Sequence, residues 1–179
     1  MWFRGIMKQK GGLPGYGVEG VDLRRLFLLL LLLASAQGFG QTAPALSTGQ
    51  VLYLPIYSHI WYGDQGRSDA PRKLLLSALV SIRNTDSGQP IRVTSAQYYD
   101  TGGRKLRQFI PAPVTIKPLG THEVFIQKSD SAGGSGANFL ISWESSSPAN
   151  PPIVEAVHAE VLGTRSLTFM TSARPINTK

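Results

Sequence analysis

Leu74-Leu75-Leu76-Ser77-Ala78-Leu79-Val80-Ser81-Ile82-Arg83 decides the fold. Successive side chains of an extended chain point to opposite faces, so Leu74, Leu76, Ala78, Val80 and Ile82 share one face. Ser77, Ser81 and Arg83 share the other. That alternation marks a strand with one side in a core and one side in water. Asn84-Thr85-Asp86-Ser87-Gly88 follows as a turn, since Asn, Asp and Gly accept turn geometry at low cost.

Outward from this strand the same pattern repeats. Ile91 to Tyr99 reads as the next strand, with Tyr98 and Tyr99 on opposite faces. Asp100-Thr101-Gly102-Gly103 reads as a hairpin turn and Arg104 to Ile110 as the returning strand. Val114 to Ile116 is a short edge strand between proline-bearing turns, and Glu123 to Lys128 is another strand. Ser129 to Gly136 reads as a mobile loop. Ala137, Phe139, Ile141 and Trp143 then alternate inward, and Ser145 to Pro152 reads as a polar connection. Ile153 to Leu162 reads as a strand, although Pro151-Pro152 also suits a helix start. Leu167 to Ser172 closes the domain. Upstream, Val51 to Tyr62 opens it, with Pro55 marking an edge or bulge. Eight or nine short strands with Gly and Pro turns predict an all-β fold, an antiparallel β-sandwich of immunoglobulin-like kind. Cysteine is absent, so no disulfide braces it.

Composition narrows the function classes. The chain has 179 residues, 42% hydrophobic and 16% charged, which is too apolar for a disordered chain. The lack of cysteine removes a thiolate nucleophile, a Cys-ligated metal and a cysteine-anchored lipid. The net charge is +7. Part of it belongs to an N-terminal segment that reads as an export signal. Arg24-Arg25 precede the apolar run Leu26 to Leu33, and Ala34-Ser35-Ala36 follows it, in the order of a secretory signal peptide. The run is far short of the roughly 20 apolar residues that span a bilayer. Residues 1–36 are therefore expected to be the signal region, cleaved after Ala36 on the general secretory route to the periplasm or beyond. Contact with the membrane is expected only through this segment, if it stays uncleaved. Its long Gly-rich lead suggests a translation start at Val21 or Met7. Gly15-Tyr16-Gly17-Val18-Glu19-Gly20 fits G-x-G-x-x-G but lacks the preceding strand of a dinucleotide site. Arg24-Arg25-Leu26-Phe27-Leu28 fits only part of a twin-arginine signal.

Without residues 1–36 the 18 basic and 11 acidic side chains become 13 and 9, a net of +4. The remaining basic residues are scattered, so nucleic-acid binding is not expected. Residues 37–50 read as a flexible tether, 51–174 as the sandwich and 175–179 as a tail.

Four motifs occur in order: Val51-Leu52-Tyr53-Leu54-Pro55-Ile56-Tyr57-Ser58-His59-Ile60, Ser81-Ile82-Arg83-Asn84-Thr85-Asp86, Tyr98-Tyr99-Asp100, and Gly133-Gly134-Ser135-Gly136-Ala137-Asn138-Phe139. Together they resemble a bacterial family of exported proteins catalogued as domain of unknown function 3124. The resemblance covers roughly Gly49 to Ser172. It implies an exported or envelope-facing protein and supplies no reaction. Many family members carry a lipoprotein cysteine after the signal, which this chain lacks.

Chemistry-bearing residues are few. Gly133-Gly134-Ser135-Gly136 departs from the hydrolase elbow G-x-S-x-G, since Ala137 stands two after Ser135 and a strand follows. The loop Asp130 to Asn138 offers amides, hydroxyls and Asx side chains that suit an anion or a glycan. Its spacing does not fit an EF-hand. His59, His122 and His158 lack metal-ligand spacing. Tyr57, His59, Trp61 and Tyr62 form an aromatic group with polar tips, suited to a sugar or peptide face. The candidate binding residues are Tyr57, His59, Trp61, Tyr62, Asp100, Asp130, Ser135 and Asn138. No catalytic set, metal or cofactor is expected. The expected role is a non-enzymatic binding or structural module for an envelope ligand or protein. A hydrolase of envelope polymers and an accessory subunit of a periplasmic complex are the alternatives. The latter requires an exposed apolar edge or patch.

Overall fold

The computed structural model describes residues 11, 44–64 and 71–177. The signal region apart from Gly11, and the first half of the tether, residues 37–43, lie outside the described residues. Twelve strands are described: β1 (Ser47–Ile56), β2 (His59–Tyr62), β3 (Arg72–Leu75), β4 (Ser77–Arg83), β5 (Ile91–Tyr99), β6 (Lys105–Gln108), β7 (Val114–Ile116), β8 (Thr121–Ile126), β9 (Ala137–Ala149), β10 (Ile153–Leu162), β11 (Arg165–Ser172) and β12 (Arg174–Ile176). All pairings are antiparallel. The first sheet runs β12-β1-β9-β5-β6, with β7 also on β5. The second runs β11-β10-β4-β8, and β2 and β3 form a separate ribbon.

Inward residues of both sheets form one core: Leu52, Leu54 and Ile56 of β1, Val93 and Tyr98 of β5, and Phe139, Ile141 and Trp143 of β9 meet Val80 and Ile82 of β4, Ile126 of β8 and Ala156 of β10. Each fully buried Leu, Ile or Phe stabilises by about 1.5–3 kcal/mol relative to exposure. The fold is thus an all-β, antiparallel sandwich without cysteine, as the alternation predicts, with twelve strands rather than eight or nine.

Five boundaries differ from expectation. The strand expected from Leu74 breaks at Leu76, whose N–H donates to the Ser58 carbonyl at 2.9 Å. Its first half becomes β3 in the ribbon and its second half β4 in the sandwich. The opening strand divides likewise at Tyr57-Ser58 into β1 and β2. β1 begins at Ser47, inside the expected tether, and β12 carries the sheet to Ile176, inside the expected tail. β9 continues through the expected connection to Ala149. Between the pairs Gly49–Glu144 and Ser47–Ala149, residues 145–148 swing out of the ladder. Pro55 fits β1 because its carbonyl points away from β9, accepting from Thr171 Oγ1 at 2.7 Å. Its missing N–H lies on that same side, beyond the reach of β12, which pairs only as far as Tyr53.

Where β4 passes to β5, one buried amide closes the sandwich. Asn84 Nδ2 donates to the carbonyls of Gln89, Ile116 and Lys117 at 2.8, 3.2 and 3.1 Å. Its Oδ1 accepts the Asp86 N–H at 3.0 Å. The Asp86 carboxylate accepts from the N–H groups of Gly88, Gln89 and Asn150.

Candidate functional site

The opposite end of the sandwich gathers most of the candidate residues. By register, the start of β4, the end of β5 and the start of β9 lie there. Ser58 is buried and its N–H donates to the Gly134 carbonyl at 3.0 Å. Its Oγ lies 2.9 Å from the hydroxyl of Tyr98, which is fully buried. Burial holds the Tyr98 hydroxyl above its ordinary pKa, so it remains a neutral partner for Ser58. The Thr101 N–H and Oγ1 both donate to the Gly133 carbonyl, at 2.9 and 3.1 Å, and Thr101 Oγ1 accepts from the Gly136 N–H at 2.9 Å. Gly133 is buried because nothing larger fits: a Cβ there would stand 1.9 Å from the Tyr98 hydroxyl. Gly134 has φ +80, a backbone region that favours glycine. The loop expected to be mobile is therefore pinned to the β1–β2 junction, β5 and the β5–β6 turn.

This pinning reassigns several candidates. Asp100 Oδ1 accepts from the N–H groups of Gly102 and Arg104, and Oδ2 meets Arg104 Nε at 3.2 Å. These bonds, that from the Arg104 N–H first, hold the carboxyl below its ordinary range. Asp130 pairs with Arg107 at 2.6 Å. Asp100 is thus engaged in its own turn and Asp130 by Arg107 of β6. Ser135 sits in the pinned loop, and Asn138 pairs with Pro55 and Tyr99 in the ladder. Tyr57 packs inward, its ring edge-on to His158 and Phe169 at 5.7 and 5.6 Å.

His158 is fully buried and stacks on Phe169 at 4.7 Å. The Tyr57 N–H donates to its Nε2 at 3.1 Å, which places the ring proton on Nδ1. Burial pushes this imidazole down to about 4, against a weaker upward pull from the carbonyls of Ala156 and Phe169. Nδ1 makes no hydrogen bond of normal geometry to either. His59 is also buried, and burial followed by the Lys73 charge lowers its pKa. Its Nδ1 too has no partner among the described residues. Among the described residues no hydrogen bonds link a serine, a histidine and a carboxylate into a relay, and no group of three His, Asp or Glu side chains is placed to hold a metal.

What stays open to solvent is the ribbon. Trp61 and Tyr62 are 51% and 46% exposed. Trp61 lies edge-on to His59 at 4.9 Å, and Lys73 Nζ stands 5.7 Å from its ring centroid, within cation–π range. The hairpin is fixed at its base through the Ser58–Gly134 and Leu76–Ser58 hydrogen bonds. The structure therefore separates the eight candidates. Tyr57 and His59 support, Asp100, Asp130, Ser135 and Asn138 shape the loops, and Trp61 and Tyr62 face outward. Sequence reasoning missed Lys73, whose opposition to Trp61 follows from the β2–β3 register.

A family model described as protein of unknown function (DUF3124) matches residues 49–176. No curated protein matches the chain. A solved structure described as the crystal structure of Thermotoga maritima 1070 is similar at 10% identity, covering 70% of this chain and 92% of that one with a TM-score of 0.38, too low a likeness to bear on fold or function.

Proposed function

The chain belongs to the DUF3124 family, and from that premise we propose that it is an exported, non-enzymatic binding module of the bacterial envelope. Trp61 carries its ligand surface, with Lys73 beside it on the same side of the ribbon; Tyr62, the next residue of β2, points to the other side. The single observation behind this reading is the half-exposed Trp61 ring on a hairpin anchored to the sandwich at its base. Rigid aromatic groups with polar tips bury much area on binding at low entropic cost, which suits a glycan or peptide face. Export is supported by the sequence alone: the Arg24-Arg25 flank, the short Leu26 to Leu33 core and the Ala34-Ser35-Ala36 end. The hydrolase alternative has little support, because the pinned Ser135 loop has no histidine bonded to it.

The test is a thermal-shift screen of the purified protein against sugars, peptidoglycan fragments, anions, metals and short peptides. A ligand that binds only the folded state stabilises it by about 2.7 kcal/mol at a hundredfold excess over Kd. One ligand class should raise the melting temperature. Trp61→Ala should abolish that shift while melting alone within a degree or two of the parent. A shift retained in Trp61→Ala, or none from any class, overturns the reading.

A further inference from the structure

The two open faces of the sandwich differ. On the β12-β1-β9-β5-β6 sheet the outward row reads Arg174, Tyr53, Leu140, Gln97, Gln108, mostly polar. On the other sheet Phe125, Leu79, Val157 and Met170 are directly opposed across β8, β4, β10 and β11. Directly opposed residues of antiparallel strands point to the same side, so these four form an apolar bar across the whole sheet. Phe125 and Met170 are 57% and 56% exposed, and Ile153 and Val161, outward on the same β10, are 49% and 70% exposed. The neighbouring row reads Glu123, Ser81, Glu155, Ser172. Large apolar side chains gathered on one face mark an interaction surface.

We infer that this face binds a second copy of the chain, sheet against sheet, about a two-fold axis parallel to the strands. The register is the reason. Such an axis exchanges β8 with β11 and β4 with β10. Phe125 then meets Met170 of the second copy, a favourable sulfur–aromatic pairing, and Leu79 meets Val157. In the acidic row Glu123 meets the exposed Ser172 and Glu155 lies over the buried Ser81, so no like charges oppose. One surface is thereby complementary to itself, as an isologous dimer requires. Four strands about 4.8 Å apart and at most five outward rows about 6.8 Å apart give a footprint of at most about 650 Å² in projection. That is below the about 800 Å² per partner of a standard interface, so the dimer is weak and concentration-dependent.

The absence of cysteine permits a direct test. Phe125→Cys and Met170→Cys are made separately and mixed at high concentration under mild oxidation. Both positions are more than half exposed, so folding is retained, and circular dichroism checks it. The mixture should yield a cross-linked dimer in several-fold excess over either variant alone. Sedimentation of the parent should show a monomer–dimer equilibrium that Phe125→Lys shifts to monomer and that Tyr53→Ser, on the other sheet, leaves unchanged. Phe125→Lys with Met170→Glu in one chain should restore the dimer. A parent monomeric at every concentration, including one that docks a foreign protein here, overturns the inference. So does a Phe125→Cys variant that cross-links to itself as well as to Met170→Cys.

Discussion

At one end of the sandwich Asn84 ties together three carbonyls from two segments, whereas at the other Ser58, Tyr98, Thr101 and the Gly133-Gly134 backbone share the task. The first end is a single amide with a charged turn beside it. The second is a junction in which side-chain hydroxyls, a missing Cβ and a neutral imidazole depend on one another. A polar hub concentrated in one residue is vulnerable to one substitution. A distributed hub is vulnerable to shape and to protonation. Only the distributed end carries the exposed aromatic hairpin, whose base it holds through the Ser58–Gly134 and Leu76–Ser58 hydrogen bonds.

The comparison is broken most directly by Asn84→Ala. It leaves the buried Ile116 carbonyl and two others without a donor, and each unsatisfied group costs about 1–3 kcal/mol. We expect a loss of about 4 kcal/mol in denaturant unfolding. A loss below 1 would show that water replaces the amide.

Acid comes next. His158 is neutral when folded, with a pKa of about 4 against 6.5 in the open chain. The unfolded chain therefore binds more protons between those values. Stability is full above about pH 6.5, falls by about 3 kcal/mol towards pH 4, and falls no further from this group below that. His59 adds in the same direction. Asp86 acts in a separate window. Backbone N–H groups, that of Asn150 first, hold its pKa below 3.8, so its contribution is present above that value and is lost only in stronger acid. Unfolding curves at pH 7, 5.5 and 4.5 should show the junction weakening first, and His158→Leu should remove most of the slope. An unchanged slope in that variant would refute the assignment.

Gly133→Ala is the smallest of the three, at about 2 kcal/mol, because the added Cβ must displace the Tyr98 hydroxyl from Ser58. The Tyr98 fluorescence and the melting temperature should change together. A neutral result would mean that the loop slides.

The strands from Ile91 onward were largely legible, since Phe139, Ile141 and Trp143, like Leu76, Ala78, Val80 and Ile82, alternate as a half-buried sheet demands. The break at Leu76 was not. No Gly or Pro marks it, and its cause is a backbone bond to Ser58, distant in sequence. β12 was invisible because three residues containing Pro175 carry no period. The run of β9 beyond Glu144 was hidden by residues 145–148, which resemble a linker. Of the site, the aromatic group Tyr57, His59, Trp61 and Tyr62 could be named from the sequence, but which of its members face solvent could not. The structural role of Gly133 was not legible either, because it depends on where Tyr98 places its hydroxyl. The four motifs that carried the family resemblance supplied Ser58, Tyr98 and Gly133 to one hub and Asn84 to the other.

The pairing of β12 with β1, in which Ile176 lies opposite Val51, sets an order in time. The first strand of the domain finds its neighbours only in β9 and β12, and the centre of the second sheet waits for β10. Contacts so distant in sequence form slowly, because loop closure precedes any reward. A chain emerging from its amino end therefore completes neither sheet until β11 and β12, the last strands of the domain, have followed.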